Sequence, residues 1–408
     1  MDVPQGGFVL ARPDQDGRAP LRAWDAADEL VLAHLAEALD GDDPSTGGAD
    51  GSGAPVVLVV GDTWGALACA LADRAPTVVV DSHLGAAAIA ANAAANGQER
   101  PRLIGPLDPW PERVDVAVLK VPKAGATLDH ALHRLAPSLH PGSVVVGAGM
   151  TRHVHTSTLQ AFERWVGPTT TSRAVKKARL VHAVPAGRAA GPAPWPRTAT
   201  VEVPGGAPLA VTAHAGVFAG ARLDAGTALL LRHLVAPHTS DVPDAAGRAE
   251  AGPTAAAIGT WADVGSVVDL GCGTGIVGAV LGRLAPDAEV TFVDDSALAV
   301  ASARATWSAA HGDRPATFVH GDALTDPAPI TADLVVVNPP FHRDHAVGDR
   351  TAWRMFQQAR DALPVGGRLV VVGNRHLAHH AKLARLFGKD HVAVLGSDPA
   401  YVVLAATR

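Results

Sequence analysis

Cysteine is nearly absent: the 408 residues hold two, Cys69 and Cys272, far apart in the chain. Neither a disulfide framework nor a thiolate zinc cluster is expected from that spacing, and a reducing cytoplasm suits the chain best. Long apolar runs are missing too. None approaches the ~20 residues of a membrane-spanning helix, and the first stretch carries Asp2, Arg12, Asp14 and Asp16 without an apolar centre, so no secretion signal or membrane anchor is readable. Nor is there a surplus of positive charge. A net charge of −6 and a pI near 6.3 argue against a protein that coats nucleic acid indiscriminately, while leaving room for a local phosphate-binding patch. No metal is expected: His342 and His345 lack a third ligand or carboxylate pattern and are read as surface or RNA-contacting histidines. What is present is 48% hydrophobic residues in a chain long enough for two or three domains with real cores.

Apolar strand-like runs alternate with Ala-rich helical stretches, the pattern of α/β units with parallel sheets. Residues 41–54, "GDDPSTGGADGSGA", read as a flexible loop. The Pro/Gly-rich stretch 184–199 reads as a linker between a domain at 1–183 and another at 200–408, and 237–259 is a further low-complexity segment. The halves look alike. Residues 56–97 and 266–312 each run strand, glycine turn, helix and strand ending in acid, which pairs Asp81 with Asp294 and, further on, Pro122 with Pro339. Duplicated domains of one fold are the expectation, against chance similarity between Ala-rich segments.

In "VVDLGCGTG" a strand runs into Gly271, Gly273 and Gly275 and then into a helical segment. Glycine permits the sharp turn and lets a ligand approach the main chain, beside the unpaired N–H groups of a helix start. The spacing departs from the G-x-G-x-x-G of dinucleotide folds, and Asp269 precedes it, which favours a nucleoside cofactor without pyrophosphate. Asp294 closes the next strand, placed to accept from ribose hydroxyls, and Asp322 closes a third, placed for an adenine amino group. A purely structural strand-to-helix turn is the competing reading. Asp295 reads as a helix N-terminal charge, and Cys272 as a small filler.

"VVVNPPFHRDHA" breaks a buried-strand pattern with Asn338, Pro339, Pro340 and Phe341. A nucleobase amine or an amide nitrogen is a poor nucleophile because its lone pair is delocalised, so its catalyst needs acceptors more than a strong base. The Asn carbonyl and a Pro-flanked backbone carbonyl can each take one N–H and aim the nitrogen at an electrophile. That electrophile would be the sulfonium methyl of S-adenosylmethionine. The prolines remove competing donors and stiffen the turn, and Phe341 offers a face for a planar group. An ordinary Pro turn with a core Phe is the alternative.

Together with "GVFAGARLDAGTALLL", "FVDDSALAVASAR" and "GNRHLAHHAKLARLFG", these stretches make the chain similar to the RsmC/RlmG family of ribosomal RNA guanine-N2 methyltransferases. "HTSTLQAFERWVGPTTTSRAVKKARLV" and "LKVPKAGATLDHAL" in the first half resemble its large-subunit branch. The resemblance implies two tandem Rossmann-like class I methyltransferase domains, the N-terminal one degenerate. It implies a cofactor pocket for S-adenosylmethionine at Asp269, Gly271, Gly273, Gly275, Asp294 and Asp322, and a base pocket at Asn338 to Phe341, with 23S rRNA as partner. Phe218, Asp224 and Thr227 either cover the cofactor or pack their own segment. The first half departs from the pattern: "VGDTWGAL" puts Trp64 in its Gly loop and "LKVPK" replaces the Asn-Pro-Pro-Phe turn, so it should neither bind cofactor nor react. Its expected role is scaffold and RNA recognition through Lys120, Lys123, Arg173, Lys176, Lys177 and Arg179, unless these are plain solvated charges. Rival readings are a 16S rRNA target, methylation of a release-factor glutamine, and a non-catalytic RNA-binding assembly factor.

Overall fold

The computed structural model describes residues 1–13, 21–39, 54–187, 191–235, 239–243, 249–251, 260–322, 324, 330–340 and 345–408. The loop expected at 41–54 lies, but for Ala54, outside them. The chain divides into two compact units, Met1–Trp195 and Pro196–Arg408.

Each unit is built on a seven-stranded sheet. In the first, β1 (Val57–Val60), β2 (Thr77–Val79), β3 (Arg102–Ile104), β4 (Val114–Lys120), β5 (Leu139–Met150), β6 (Thr169–Thr171) and β7 (Ala178–Ala183) lie in the order β3-β2-β1-β4-β5-β7-β6. In the second, β8 (Ser266–Leu270), β9 (Glu289–Asp294), β10 (Thr317–His320), β11 (Leu334–Val337), β12 (Arg368–Asn374), β13 (Val392–Ser397) and β14 (Tyr401–Thr407) lie in the order β10-β9-β8-β11-β12-β14-β13. The two orders are the same. In both, the first five strands run parallel and the strand beside the fifth is antiparallel.

Parallel strands covered on both faces must be apolar at every position, and the alternation of side chains then builds two cores. In the second unit Val267, Leu334, Val336 and Val370 join one core, while Val268, Val335, Val337 and Val371 join the other. The first unit divides the same way, with Val57, Val59, Val116 and Val118 on one face and Leu58, Ala117 and Leu119 on the other. Strand order reverses between β8 and β11, and between β1 and β4, and ligands of such sheets bind beyond the strand ends at that point.

The stretch read as a linker gives way to structure at its end: Arg197–Val201 pairs with Leu209–Ala213 as a hairpin. The hairpin is tied to the helix Ala297–His311 by Thr212 N–H to Thr306 Oγ1 at 3.0 Å and His214 N–H to Ser302 Oγ at 2.9 Å. It leads into the helix Ala225–Val235, whose first turn reaches the site described next.

Candidate functional site

The loop after β8 turns through Gly271, Gly273 and Gly275, all with positive φ, into the helix Ile276–Leu284. At Gly273 an added Cβ would meet nothing within 4 Å, so the main chain there faces open space. At Gly275 it would lie 2.6 Å from Ala303 Cα, so only glycine lets this helix start against its neighbour. Asp294 braces the loop: its Oδ2 accepts Gly273 N–H and its Oδ1 accepts Ser296 N–H, both at 2.9 Å. Asp269 lies beneath the loop, 3% exposed, and accepts Gly278 N–H at 2.8 Å. Burial, aided by the nearby charge of Asp294 and only partly countered by that hydrogen bond, pushes its pKa up to about 7. Cys272 is 6% exposed with its thiol pKa raised far by burial, which makes it the inert filler expected.

The buried strand β11 delivers Asn338 to the same edge. Its Nδ2 donates to Thr227 Oγ1 at 2.9 Å, while its Oδ1 is buried without a hydrogen-bond partner. Leaving an amide carbonyl so costs about 1 to 3 kcal/mol, and such orphans in native folds call for an explanation. Pro339 is buried and Pro340 half-buried; neither has an N–H to satisfy that oxygen. Thr227 is 4% exposed and is fixed by Asp224, whose Oδ1 accepts the N–H groups of Gly226 and Thr227 at 3.0 and 3.1 Å. Asp322 Oδ1 pairs with Arg354 at 2.9 Å, a partner the sequence did not announce. Phe218 is 61% exposed, so it is not packing its segment. Phe341 and His342 lie outside the described residues, as do the side-chain contacts of His345. An open glycine main chain, a braced acid at the next strand end and an unsatisfied carbonyl fit a nucleoside cofactor beside a nitrogen substrate.

The first unit shows what the same place looks like without these groups. The ladders match Val60 with Leu270, Val79 with Val293 and Leu119 with Val337. Ser82 and Ser296 each cap the helix that follows. That register revises the sequence pairing: Asp81 stands opposite Asp295 and Pro122 opposite Pro340. The position of Asp294 is held by Val80 and that of Asp269 by Val59. Asp62 takes the place of Cys272 and accepts four N–H groups, from Gly65, Ala66, Leu67 and Ala68, at 2.8 to 3.0 Å. A helix start satisfied by its own carboxylate has nothing left for a ligand. Trp64, read above as the obstruction, falls opposite Thr274 instead, with the Arg12 guanidinium 5.1 Å from its ring centre.

Lys120 stands opposite Asn338. Its Nζ binds Asp25 at 2.8 Å and Asp28 at 2.7 Å, with its side chain 17% exposed, so the lysine read as a phosphate partner is committed within the fold. Burial, with a smaller contribution from the nearby charges of Asp25 and Asp62, pushes Asp28 up to about 6 despite that lysine. Burial disfavours charge on Lys120, but the two carboxylates outweigh it and its pKa is raised. Of the other basic residues, Lys123, Arg173, Lys176 and Lys177 are exposed, Arg179 is half-buried, and Lys176 reaches Glu29 at 2.9 Å.

Fold and site together define a class I methyltransferase whose fold occurs twice in one chain. Residues 1–187 match the RLMG N-terminal domain and residues 208–405 the methyltransferase small domain. The chain is 45% identical to ribosomal RNA large subunit methyltransferase G of Streptomyces avermitilis, over 100% of this chain and 99% of that one. The protein of the same name from Pseudomonas aeruginosa strain PAO1 is 42% identical, over 98% and 97%. Among solved structures, the T. thermophilus 16S rRNA N2 G1207 methyltransferase in complex with AdoMet and guanosine superposes with a TM-score of 0.65 at 23% identity, covering 90% of this chain and 92% of that one. The chain belongs to the ribosomal RNA large subunit methyltransferase G family, within the RsmC/RlmG group. It is a methyltransferase, and S-adenosylmethionine is its cofactor.

Proposed function

We propose that the second unit methylates the N2 amine of a guanine in 23S rRNA, in the cytoplasm. The observation that carries the chemistry is the buried, unpartnered Oδ1 of Asn338 at the strand end next to the glycine loop. The choice of large-subunit RNA rests on the full-length relatives, since the 16S enzyme's 23% identity speaks for the fold alone. No helix among the described residues is long and apolar enough to cross a membrane, and they contain no group of three or more metal-binding side chains.

When bound, S-adenosylmethionine supplies an electrophilic methyl. Gly271, Gly273 and Gly275 let it approach the main chain, Asp294 accepts from the ribose, and Asp269 holds the helix start from below. Asp322, paired with Arg354, accepts from the adenine amine. Asn338 Oδ1 takes one N–H of the guanine amine and the backbone carbonyl beside Pro339 takes the other, so the nitrogen's electron density points at the methyl. Phe341 supplies a stacking face. The target guanine must be unpaired or extruded to reach this turn. After transfer the surplus proton on the amine leaves to water.

The first unit recognises RNA and does not react. Its exposed Lys123, Arg173, Lys176 and Lys177 offer phosphate contacts. The pKa of His153 is lowered by burial and then by Arg152, Lys123 and His155, the mark of a locally positive edge. The test is to incubate the protein with labelled cofactor and, in turn, naked 23S rRNA, naked 16S rRNA, assembled subunits and a release factor, and to map the label. Label on N2 of a 23S guanine supports the reading. Label in 16S rRNA or on glutamine replaces it, and no label with no cofactor bound leaves an assembly factor.

A further inference from the structure

The two units share a piece of wiring that their chemistry hides. In each, an aspartate just before a helix (Asp25, Asp224) folds back onto the second and third N–H groups that follow, those of Ala27 and Asp28 or of Gly226 and Thr227. The third residue then reaches the side chain at the end of the fourth strand. In the first unit it is Asp28 on Lys120 at 2.7 Å, and in the second Thr227 on Asn338 at 2.9 Å. An acid facing a lysine is a neutralised pair. A hydroxyl facing an amide is something else, because an amide has two different ends.

We propose that Thr227 is a positioning residue for methyl transfer: by hydrogen-bonding Asn338 Nδ2 it anchors the amide in the plane and place from which Oδ1 faces the substrate. With Nδ2 held on Thr227, the amide presents Oδ1, the acceptor a substrate amine needs. Turned over, it would offer two N–H donors to a group that also brings N–H donors. Thr227 can do this because it is 4% exposed and its backbone is held by Asp224, so its side chain has little room to move away. Asn338 is thereby oriented before the substrate arrives. The inference deepens the role given to Asn338 above and rests on it.

The test is steady-state and binding measurement on full-length Thr227→Val, Thr227→Ser, Asn338→Ala and the Thr227→Val/Asn338→Ala double variant. Valine keeps the shape and removes the hydroxyl. It should lower kcat about tenfold or more, with cofactor affinity and Tm near wild type, because only the aim of the amide is lost. Serine should restore most of the rate. In the double variant the valine should cost nothing further, since no amide remains to orient. A Thr227→Val enzyme with wild-type kcat, an unrescued serine variant, or losses that simply multiply in the double variant would overturn the positioning role. An active Asn338→Ala enzyme would instead overturn the reading beneath it.

Discussion

Asn338 and Lys120 stand at the same strand end of the same fold, and in the function proposed above the contrast between them separates a unit that reacts from one that does not. Around Asn338 the polar groups are left partly unsatisfied: an orphaned carbonyl beside a glycine main chain facing open space. Around Lys120 they are satisfied internally, by two carboxylates on the lysine and four N–H groups on Asp62. A fold gains stability by pairing its polar groups and gains chemistry by leaving a few unpaired. The duplicated units have taken opposite choices at one strand end.

The comparison can be broken at either pole. The largest effect is expected at Lys120. Lys120→Asn leaves Asp25, Asp28 and Asp62 facing one another, and removing one partner of a buried pair costs about 3 kcal/mol or more. Calorimetry of the full chain should show the first unit's transition fall sharply, and Asp28→Thr in the same chain should recover most of it. At the other pole, Asn338→Ala should cut kcat about a hundredfold with cofactor affinity nearly intact. Equal loss of rate and affinity would mean that Asn338 holds the cofactor rather than the amine.

A smaller effect tests the buried acid under the loop. Asp269 keeps its proton in the fold up to about 7, against 3.8 for an ordinary aspartate. The stability this proton lends is full below 3.8 and is lost as pH rises through 7. Thermal unfolding from pH 4 to 8 should therefore show the second unit weakening with pH, and Asp269→Asn should flatten that slope. An unchanged slope assigns the titration elsewhere. The smallest effect belongs to the RNA edge: Lys123→Ala with Arg152→Ala should weaken RNA binding uniformly across sequences and reduce the salt slope by about 2. Binding by the double variant with an unaltered slope would place the phosphate contacts elsewhere.

Much of this was legible in the sequence because it is local. The glycine loop, the strand-end acids and the Asn-Pro-Pro turn each lie within a few residues, and strand runs such as "LVVV" at 334–337 state their burial directly. The duplication was legible too, as a repeated order of elements. Its register was not. Asp81 looked like the counterpart of Asp294 because both are acids at strand ends, and only the ladders and the Ser82 and Ser296 caps show that Val80 holds that position. Lys120 with Asp28, Thr227 with Asn338 and Arg354 with Asp322 join residues 92, 111 and 32 positions apart, read from 120 − 28, 338 − 227 and 354 − 322, and no periodicity carries such contacts.

The central claim is that one unit of the pair binds cofactor. Titrating the full chain with S-adenosylmethionine in a calorimeter, beside the Asp294→Ala chain, tests it directly. The account predicts one site per chain in the wild type and loss of at least tenfold in affinity at that site when Asp294 is removed. Two sites per chain, or one site that survives in Asp294→Ala with its affinity unchanged, would contradict it.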